Sequence, residues 1–200
     1  MKRDEISLRT KLRISAALKA RMAAQPFDQI TVSDLLRDCD LSRPTFYYHF
    51  EDKYDLLKWT LEHDIVDLLR QGRDCSEWCD SFLLVLRYVQ DNVDLCRCAW
   101  RHVGKDALEQ MCYADVRALM DDYIDSLDVE PAPPAQDVAF VADFYTRALV
   151  AQLASWMQNG MTTSPEDMVA LLERTVRDSI RFALEHSAAA AQTGDSQSPA

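Results

Sequence analysis

Apolar residues recur at intervals of three and four along most of this 200-residue chain, which is the spacing of amphipathic α-helices. Alternating, β-branched segments bounded by turn residues, which would indicate strands, do not stand out. The pattern therefore predicts an all-α fold of about nine helices. It divides into a three-helix N-terminal domain over residues 1–52, a larger helical domain over 53–186, and a disordered tail rich in Ala, Ser and Gln over 187–200.

Residues 31–53 predict two short helices joined by a tight turn. Thr31 and Asp34 have the spacing of a capping box, so the first helix begins at or near Thr31. The apolar pattern then breaks, and Ser42 and Pro44 suit the cap and first turn of a second helix. Two helices joined by about three residues match the helix-turn-helix, whose second helix enters the major groove of DNA.

The run from Phe27 to Leu57 closely resembles the N-terminal domain of TetR-family transcriptional regulators. The resemblance is carried by Ile30-Thr31, Arg43–Phe50 and Lys53–Leu57. Within the family, the combination of Arg43, Thr45–Phe50, Asp52-Lys53 and Trp59 looks most like the branch that includes regulators of dihydroxyacetone kinase operons, of the DhaS type. One departure is Asp40, where the family commonly has glycine. Aspartate tolerates left-handed backbone geometry better than most residues, so the turn is still expected to form.

The resemblance implies which residues contact DNA. Thr31 and Ser33, at the start of the first motif helix, would contact phosphate, which sets position rather than sequence. The base-reading positions are Ser42–Thr45. Among these, Arg43 can bind guanine O6 and N7 through two parallel hydrogen bonds, and Thr45 can meet the thymine methyl group or offer its hydroxyl to either base type.

Tyr48, His49 and Lys53 match family positions that bind the sugar-phosphate backbone, whereas Tyr47 is expected to pack inward. A half-buried core tyrosine at 48 and a histidine bound to a neighbouring carbonyl at 49 are the alternatives. The complete predicted DNA-contact set is Thr31, Ser33, Ser42, Arg43, Pro44, Thr45, Tyr48, His49 and Lys53.

The formal net charge of −11 is unusual for a protein that approaches a polyanion, but the charge is unevenly distributed. Residues 1–63 contain 11 basic and 10 acidic side chains, while residues 64–200 contain 11 basic and 23 acidic ones. The basic side chains near the N-terminus predict an additional phosphate-binding arm, with an ordinary solvated helix surface as the alternative. They are Lys2, Arg3, Arg9, Lys11, Arg13, Lys19 and Arg21.

Two apolar helices near the C-terminus indicate a dimer. Residues 137–159 are apolar on almost all sides, and a further helix begins at Ser164-Pro165. In TetR-family proteins the last two helices usually form a four-helix bundle with the partner subunit, so the resemblance implies a homodimer that binds a roughly palindromic operator. A monomer with a large core is the alternative. The predicted interface residues are Val141, Tyr145, Leu149, Leu153, Trp156, Leu172, Val176 and Ile180.

The C-terminal domain is expected to hold a small-molecule effector, and aromatic side chains are candidates for its pocket, although they also suit an ordinary core. They are Trp78, Phe82, Trp100, Tyr113 and Tyr145. The acidic composition of residues 64–200 also suits a protein co-regulator, which is an alternative partner. No secretory signal or membrane span is visible, so the protein is expected in the cytoplasm.

Six cysteines raise the alternative of a thiol- or metal-responsive regulator. Cys75 and Cys79 lie four residues apart, and Cys96 and Cys98 are followed by His102, whereas the other two cysteines stand alone. This is not a recognised zinc spacing, and free cysteine is a common buried residue. We therefore predict neither a metal site nor a cofactor.

Enzymatic chemistry is not predicted either. The four glycines, at 72, 104, 160 and 194, form no phosphate-binding loop, and the four histidines, at 49, 63, 102 and 186, have no HExxH or dyad spacing. The sequence therefore predicts a TetR-like transcriptional regulator that binds a palindromic operator as a homodimer and responds to a ligand in its C-terminal domain.

Overall fold

The computed structural model describes residues 2–72 and 78–195. Within these ranges it contains nine α-helices, a 3₁₀ turn at Phe27–Gln29 and no strand, which confirms the predicted all-α fold. None of the described helices is both long and apolar enough to cross a bilayer. The helices are α1 (Lys2–Met22), α2 (Val32–Cys39), α3 (Arg43–His49), α4 (Lys53–Gly72), α5 (Trp78–Asp91), α6 (Val93–Val103), α7 (Lys105–Ser126), α8 (Ala135–Gln158) and α9 (Pro165–Asp195).

The chain forms two compact units that differ from the predicted division at residue 52. Unit 1 comprises the residues up to 67 together with 91–108, and unit 2 comprises 68–90 and the residues from 109 onward. The difference arises because α6, distant in sequence, packs against α1. Periodicity reveals that α6 has an apolar face but not which helix that face meets.

The predicted start signals of the motif helices are confirmed. The Thr31 hydroxyl accepts a hydrogen bond from the Asp34 amide, and the Asp34 carboxylate accepts one from the Thr31 amide, both at 3.2 Å. Asp40 then takes the left-handed conformation, at φ 48° and ψ 53°, and ends α2. Ser42 caps α3 by accepting a hydrogen bond from the amide of Thr45.

The core of unit 1 lies between α1, the motif helices and the start of α4. Its fully buried side chains include Ile14, Leu18, Leu35, Phe46, Leu56 and Leu57. The apolar spacing of α1 predicts four core positions, Leu8, Leu12, Leu18 and Met22. Leu18 is buried and Met22 half-buried, but the prediction is wrong for Leu8 and Leu12, which are exposed. They project from a different side of α1 than Ile14 and Leu18, and the motif covers only the latter side.

In unit 2, α8 and α9 pack as an antiparallel pair. The Tyr145 hydroxyl donates to Ser179 Oγ at 2.9 Å, and the Trp156 indole donates to the carbonyl of Thr163 at 2.8 Å. Ser164 caps the N-terminus of α9, at the predicted start, because its hydroxyl accepts a hydrogen bond from the Asp167 amide. The described core of this unit includes Trp78, Phe82, Met120, Leu149, Ile180 and Leu184.

The final helix continues beyond the point where the sequence predicts a disordered tail. α9 extends through Asp195, Ser187 donates a hydrogen bond to Asp137 of α8, and Ala188 is buried. The predicted boundary at Ser187 is therefore too early. Alanine-rich composition indicated low core content, but alanine is also the residue most compatible with a helix. Residues 196–200 lie outside the described part of the chain.

Candidate nucleic-acid interface

The second motif helix, α3, presents a polar face to solvent. Phe46 is fully buried and Phe50 nearly so, and these two rings hold α3 against the core. On the opposite side Arg43 and Pro44 are exposed, and 70% of the Tyr48 surface is accessible. The half-buried alternative for Tyr48 is therefore wrong. One side of α3 is therefore anchored in the core, and the other side presents hydrogen-bonding side chains to solvent.

Arg43 is oriented by a residue of the first motif helix. Its Nη2 atom donates to the hydroxyl oxygen of Ser33 at 2.7 Å, and both side chains are exposed. The bond joins the residue predicted to read bases to one predicted to contact phosphate. It uses one edge of the guanidinium group and leaves other N–H groups available for a ligand.

The predicted contact residues Thr31, Ser42 and Thr45 use their hydroxyl groups locally. Thr31 Oγ1 donates to Asp34 Oδ2 at 2.6 Å, and the oxygen atoms of the Ser42 and Thr45 hydroxyls lie 2.8 Å apart. Ser42 is exposed and Thr45 is half-buried. These hydroxyls hold the two helix starts in place.

His49 is half-buried at the end of α3. Its Nδ1 lies 3.5 Å from Ser7 Oγ on α1, and its ring packs edge-to-face against Tyr48 at 4.9 Å. Its partner is therefore a hydroxyl rather than the carbonyl considered from the sequence. Burial, and secondarily the charge of Lys11, lowers the pKa of His49. Near neutral pH the imidazole is uncharged and can offer a phosphate a neutral N–H group but not a charge.

Lys53 contacts the protein rather than pointing toward a ligand. Its Nζ donates to the carbonyls of Phe27, Asp28 and Ile30 at 3.1, 3.2 and 3.0 Å, and it lies 4.6 Å from the centroid of the Phe27 ring. An ammonium group has three donors, and these carbonyls use all three. We therefore reassign Lys53 from the phosphate-contact set to the scaffold that fixes the 3₁₀ turn ahead of α2.

Tyr47 is a surface residue that the sequence interpretation missed. It was expected to pack inward, but 57% of its surface is accessible, and its ring contacts Phe46 edge-to-face. The available signal was its position four residues after Arg43, because residues four apart share a helix face. Tyr47 therefore extends the polar face that begins at Arg43.

Most of the basic side chains predicted to form a phosphate-binding arm on α1 contact unit 1 itself. Four of its seven basic side chains contact other parts of this unit. They are Lys11 over the rings of Phe50 and Trp59, Arg13 with the Cys39 carbonyl, Lys19 with Asp64 at 2.8 Å, and Arg21 with Asp38 at 2.8 Å. Arg9 is exposed, and the side chains of Lys2 and Arg3 lie outside the described part.

These pairs compensate the carboxylates of the motif. Hydrogen bonds from Thr31, with the nearby charges of Arg21 and Arg37, lower the pKa of Asp34. The hydrogen bond from Arg21 lowers the pKa of Asp38 in the same way. The carboxylates of α2 thus already form ion pairs with arginines in the absence of DNA. These arginines consequently add little positive charge for binding phosphate.

The aromatic residues predicted to line an effector pocket belong to two different units. Trp100 belongs to unit 1 and the other four belong to unit 2. Trp78 and Phe82 are buried core residues whose ring centroids lie 6.3 Å apart. Tyr113 donates to Asp143, and Tyr145 donates to Ser179. The core alternative therefore describes Trp78 and Phe82 better.

The predicted dimer residues are also largely internal. The buried members are Val141, Leu149, Trp156, Val176 and Ile180, and the half-buried ones are Tyr145, Leu153 and Leu172. Within one chain the five buried side chains form the core between helices and are therefore not available to a partner. For Tyr145, Leu153 and Leu172, which keep accessible surface, the interface stays a prediction. The exposed apolar residues of α8 and α9 are instead Phe140, Phe144, Leu171 and Phe182.

The described cysteines are poorly suited to thiolate chemistry. Cys39, Cys79, Cys96 and Cys112 are buried and Cys98 is half-buried, while Cys75 lies outside the described residues. Burial raises the pKa of Cys98 to about 11 and that of Cys112 to about 12. Thiols with such pKa values are weak nucleophiles and weak metal ligands near neutral pH.

Two family models match the chain. The model described as bacterial regulatory proteins, tetR family, matches residues 14–58, and the model described as transcriptional regulator C-terminal region matches residues 76–178. The first match contains the whole helix-turn-helix. The second covers about half of the chain and includes most of unit 2.

A curated relative and two solved structures are similar to the chain. The HTH-type dhaKLM operon transcriptional activator DhaS of Lactococcus lactis subsp. lactis (strain IL1403) is 35% identical over 86 residues, which are 43% of this chain and 46% of that protein. The match thus spans about half the length of the relative. A structure of the dihydroxyacetone kinase operon activator DhaS gives a TM-score of 0.68 at 23% identity, covering 86% of this chain and 97% of that one. A TetR transcriptional regulator from Streptococcus agalactiae 2603V gives 0.56 at 21% identity, covering 88% and 98%. At these identities the structures support the fold.

Proposed function

Because the chain belongs to the TetR family of bacterial regulatory proteins, we propose that it regulates transcription by inserting α3 into the major groove of an operator. The observation that carries this proposal is the outward face of α3, where Arg43, Tyr47 and Tyr48 are exposed on a helix anchored by Phe46. A DNA target would place its action in the cytoplasm.

The proposed contacts divide into base-reading and positioning groups. Arg43 is the side chain best suited to guanine, since its fork can bind O6 and N7 together, while Pro44 and Thr45 offer apolar contact to a thymine methyl group. Tyr47 and Tyr48 can donate hydroxyl hydrogen bonds to phosphate. Neutral donors of this kind release fewer counterions than cations, so we expect a shallow dependence of affinity on salt. Thr31, Ser33, Ser42 and His49 complete the proposed interface from its edges.

We propose that the protein acts as a homodimer formed through the exposed apolar residues of α8 and α9. The contacts between Asp137 and Ser187 and between Tyr145 and Ser179 place Phe182 at about the level of Phe140 and Phe144. Phe140 and Phe182 each have 69% of their surface accessible, which is unusual for phenylalanine unless another surface covers it. A second copy would supply that surface and a second α3, as an inverted-repeat operator requires.

Regulation by an effector in unit 2 is part of the same proposal. An effector needs only different affinities for the DNA-bound and free arrangements of the dimer. The curated relative is named as an activator of an operon, and we extend to this chain only the class of operon-specific regulator. A protein co-regulator is the alternative effector, and the acidic composition of residues 64–200 favours a basic partner surface.

The test is capture of genomic fragments by the purified full-length protein, followed by sequencing. We expect the recovered fragments to share an inverted repeat with half-site centres about one helical turn apart. The proposal would be contradicted if the recovered fragments shared no repeat that is enriched relative to the fragments recovered by an Arg43→Ala variant. Asp125→Asn, an exposed charge change on α7, is the control and should recover the same sites as the unmodified protein.

A further inference from the structure

Unit 1 contains a pocket that lies apart from the proposed DNA-binding face. It has a volume of about 490 Å³ and lies between the end of α1, the 3₁₀ turn and α6. Met22, Pro26 and Phe27 give it an apolar wall, and Phe27 is buried. None of the residues predicted from the sequence to bind DNA or an effector lines it.

Two arginines of α6 face this pocket. Arg97 and Arg101 are four residues apart and therefore share a helix face, and both are exposed. Within the described ranges neither guanidinium forms an ion pair with a carboxylate, unlike Arg21 and Arg37 beside the motif. Two unpaired guanidinium groups at this spacing can bind the oxygens of one phosphate or carboxylate from two sides.

Two acidic side chains line the pocket as well as the two arginines. Asp28 of the 3₁₀ turn and Asp94 of α6 both line it. A bare anion would meet these carboxylates as well as the arginines, whereas hydroxyl groups on the same molecule could donate to them. The combination favours a small hydroxylated oxyanion over an inorganic ion.

His102 supplies a further polar atom at this wall. Its ring packs against Phe27 at 5.4 Å and Tyr54 at 5.1 Å between centroids. Its Nε2 is buried and 3.5 Å from Asp28 Oδ1, and it has no hydrogen-bond partner among the described residues. A polar contact as long as the one between His102 and Asp28 leaves room for a ligand oxygen or water to bridge the two groups.

We propose that this pocket binds a small hydroxylated phosphate or carboxylate, with Arg97 and Arg101 on the oxyanion and Asp28 and Asp94 on the hydroxyl groups. The site belongs to the DNA-binding unit and is additional to an effector site in unit 2. Its wall includes the 3₁₀ turn whose Phe27 and Asp28 carbonyls bind Lys53 immediately ahead of α2. A molecule bound here would therefore contact a segment that sets the start of the helix-turn-helix.

Calorimetric titration of the full-length protein without DNA tests the site independently of the proposed function. The probes are glycerol 1-phosphate, glycerate, glycerol and inorganic phosphate. We expect saturable binding of glycerol 1-phosphate or glycerate, with the tighter one identifying the oxyanion, and weaker or no binding of glycerol. Binding of inorganic phosphate as tight as that of the hydroxylated probes would overturn the role given to the two aspartates.

The variants Arg97→Gln and Arg101→Gln should each lower the affinity roughly tenfold or more, because each loses a charge-assisted hydrogen bond. Arg174→Gln on α9 is the matched control and should bind as the unmodified protein does. Both pocket variants replace exposed residues of a helix with glutamine, a good helix former, so unchanged circular dichroism is expected. Saturable binding that survives in both variants, or its absence for every probe, would overturn the proposal.

Cys98 provides a second readout because it lines the same pocket and is half-buried. Its alkylation by excess iodoacetamide at alkaline pH is slow, because burial raises the pKa of the Cys98 thiol to about 11, and the rate can be followed by peptide mapping. The tighter-binding hydroxylated probe, at a concentration that saturates the unmodified protein but not Arg101→Gln, should slow this rate several-fold in the unmodified protein and much less in the variant. Equal rates with and without the bound probe would place that probe elsewhere and contradict the assignment.

Discussion

Arg43 on α3 donates a hydrogen bond to Ser33 on α2, with 2.7 Å between Nη2 and Oγ. The two residues come from the two helices of the motif and are both exposed. The bond restricts the rotamers of a long side chain before DNA is present. Binding then loses less conformational entropy, which is how preorganisation increases affinity.

Ser33→Ala should therefore weaken operator binding without destabilising the fold. A typical hydrogen bond contributes about 0.5–1.5 kcal/mol, and solvent exposure keeps this charge-assisted one in that range, so we expect a loss of roughly two- to tenfold in affinity, measured by fluorescence anisotropy with labelled operator. The melting temperature should change little because the site is exposed. Ser126→Ala in unit 2 is the control, and equal affinities of the two variants would show that Ser33 does not support Arg43.

Replacement of Lys53 distinguishes a scaffold role from a phosphate contact. Lys53→Met leaves three carbonyls without their donor, so we expect the free energy of unfolding to fall by about 1–3 kcal/mol in urea denaturation. Lys58→Met, an exposed lysine one turn further along α4, should have almost no effect. If Lys53 contacted phosphate, the slope of log affinity against log salt would decrease by about 0.9 while stability stayed constant. That combination would contradict the structure.

The protonation of His49 predicts a stability change on mild acidification. Its pKa in the folded state is lowered, mainly by burial, so the unfolded chain binds the proton more tightly. The contribution of His49 to stability is fully present above the unfolded-state pKa of about 6.5. It is lost as the pH falls from that pKa to the lower pKa of the folded state.

Urea denaturation at several pH values between neutrality and mild acidity measures this effect. His49→Gln should flatten the pH dependence in this range. An equally steep loss of stability in His49→Gln would assign the pH dependence to other groups.

Substitutions at the proposed dimer surface and in the core should have different effects. Phe140→Glu and Phe182→Glu place a charge on exposed positions, so sedimentation should show monomers that keep their helix content. Leu149→Ala instead removes a buried side chain, and the free energy of unfolding should fall by about 2–5 kcal/mol. Gln152→Glu, an exposed polar position on α8, is the control and should remain dimeric. Dimers that persist in both phenylalanine variants would place the interface elsewhere.

Local signals in the sequence were sufficient to predict the motif. The caps at Thr31 and Ser42 and the left-handed turn at Asp40 depend on residues within a few positions of one another, and the structure has all three. The same holds for the start of α9 at Ser164. Such features can be predicted because their energetics are contained in one short segment.

The errors concern contacts between distant segments. Lys53 reaches carbonyls more than twenty residues away, and α6 packs against α1 although α2 to α5 lie between them in the sequence. For an apolar helix such as α8, the pattern predicts burial but not which face is covered within the chain. Val141 and Leu149 were therefore placed at an interface although they lie in the core.

The central claim is that the outward face of α3 reads base sequence. Its most direct test is to measure the ratio of the affinity for operator DNA to that for scrambled DNA, and to compare this ratio between Arg43→Ala and the unmodified protein. Removing a base-reading arginine should cost about 1–3 kcal/mol on the operator and little on scrambled DNA, so the ratio should fall by roughly five- to 150-fold. An unchanged ratio, with either no loss or an equal loss of affinity on both DNAs, would contradict the claim.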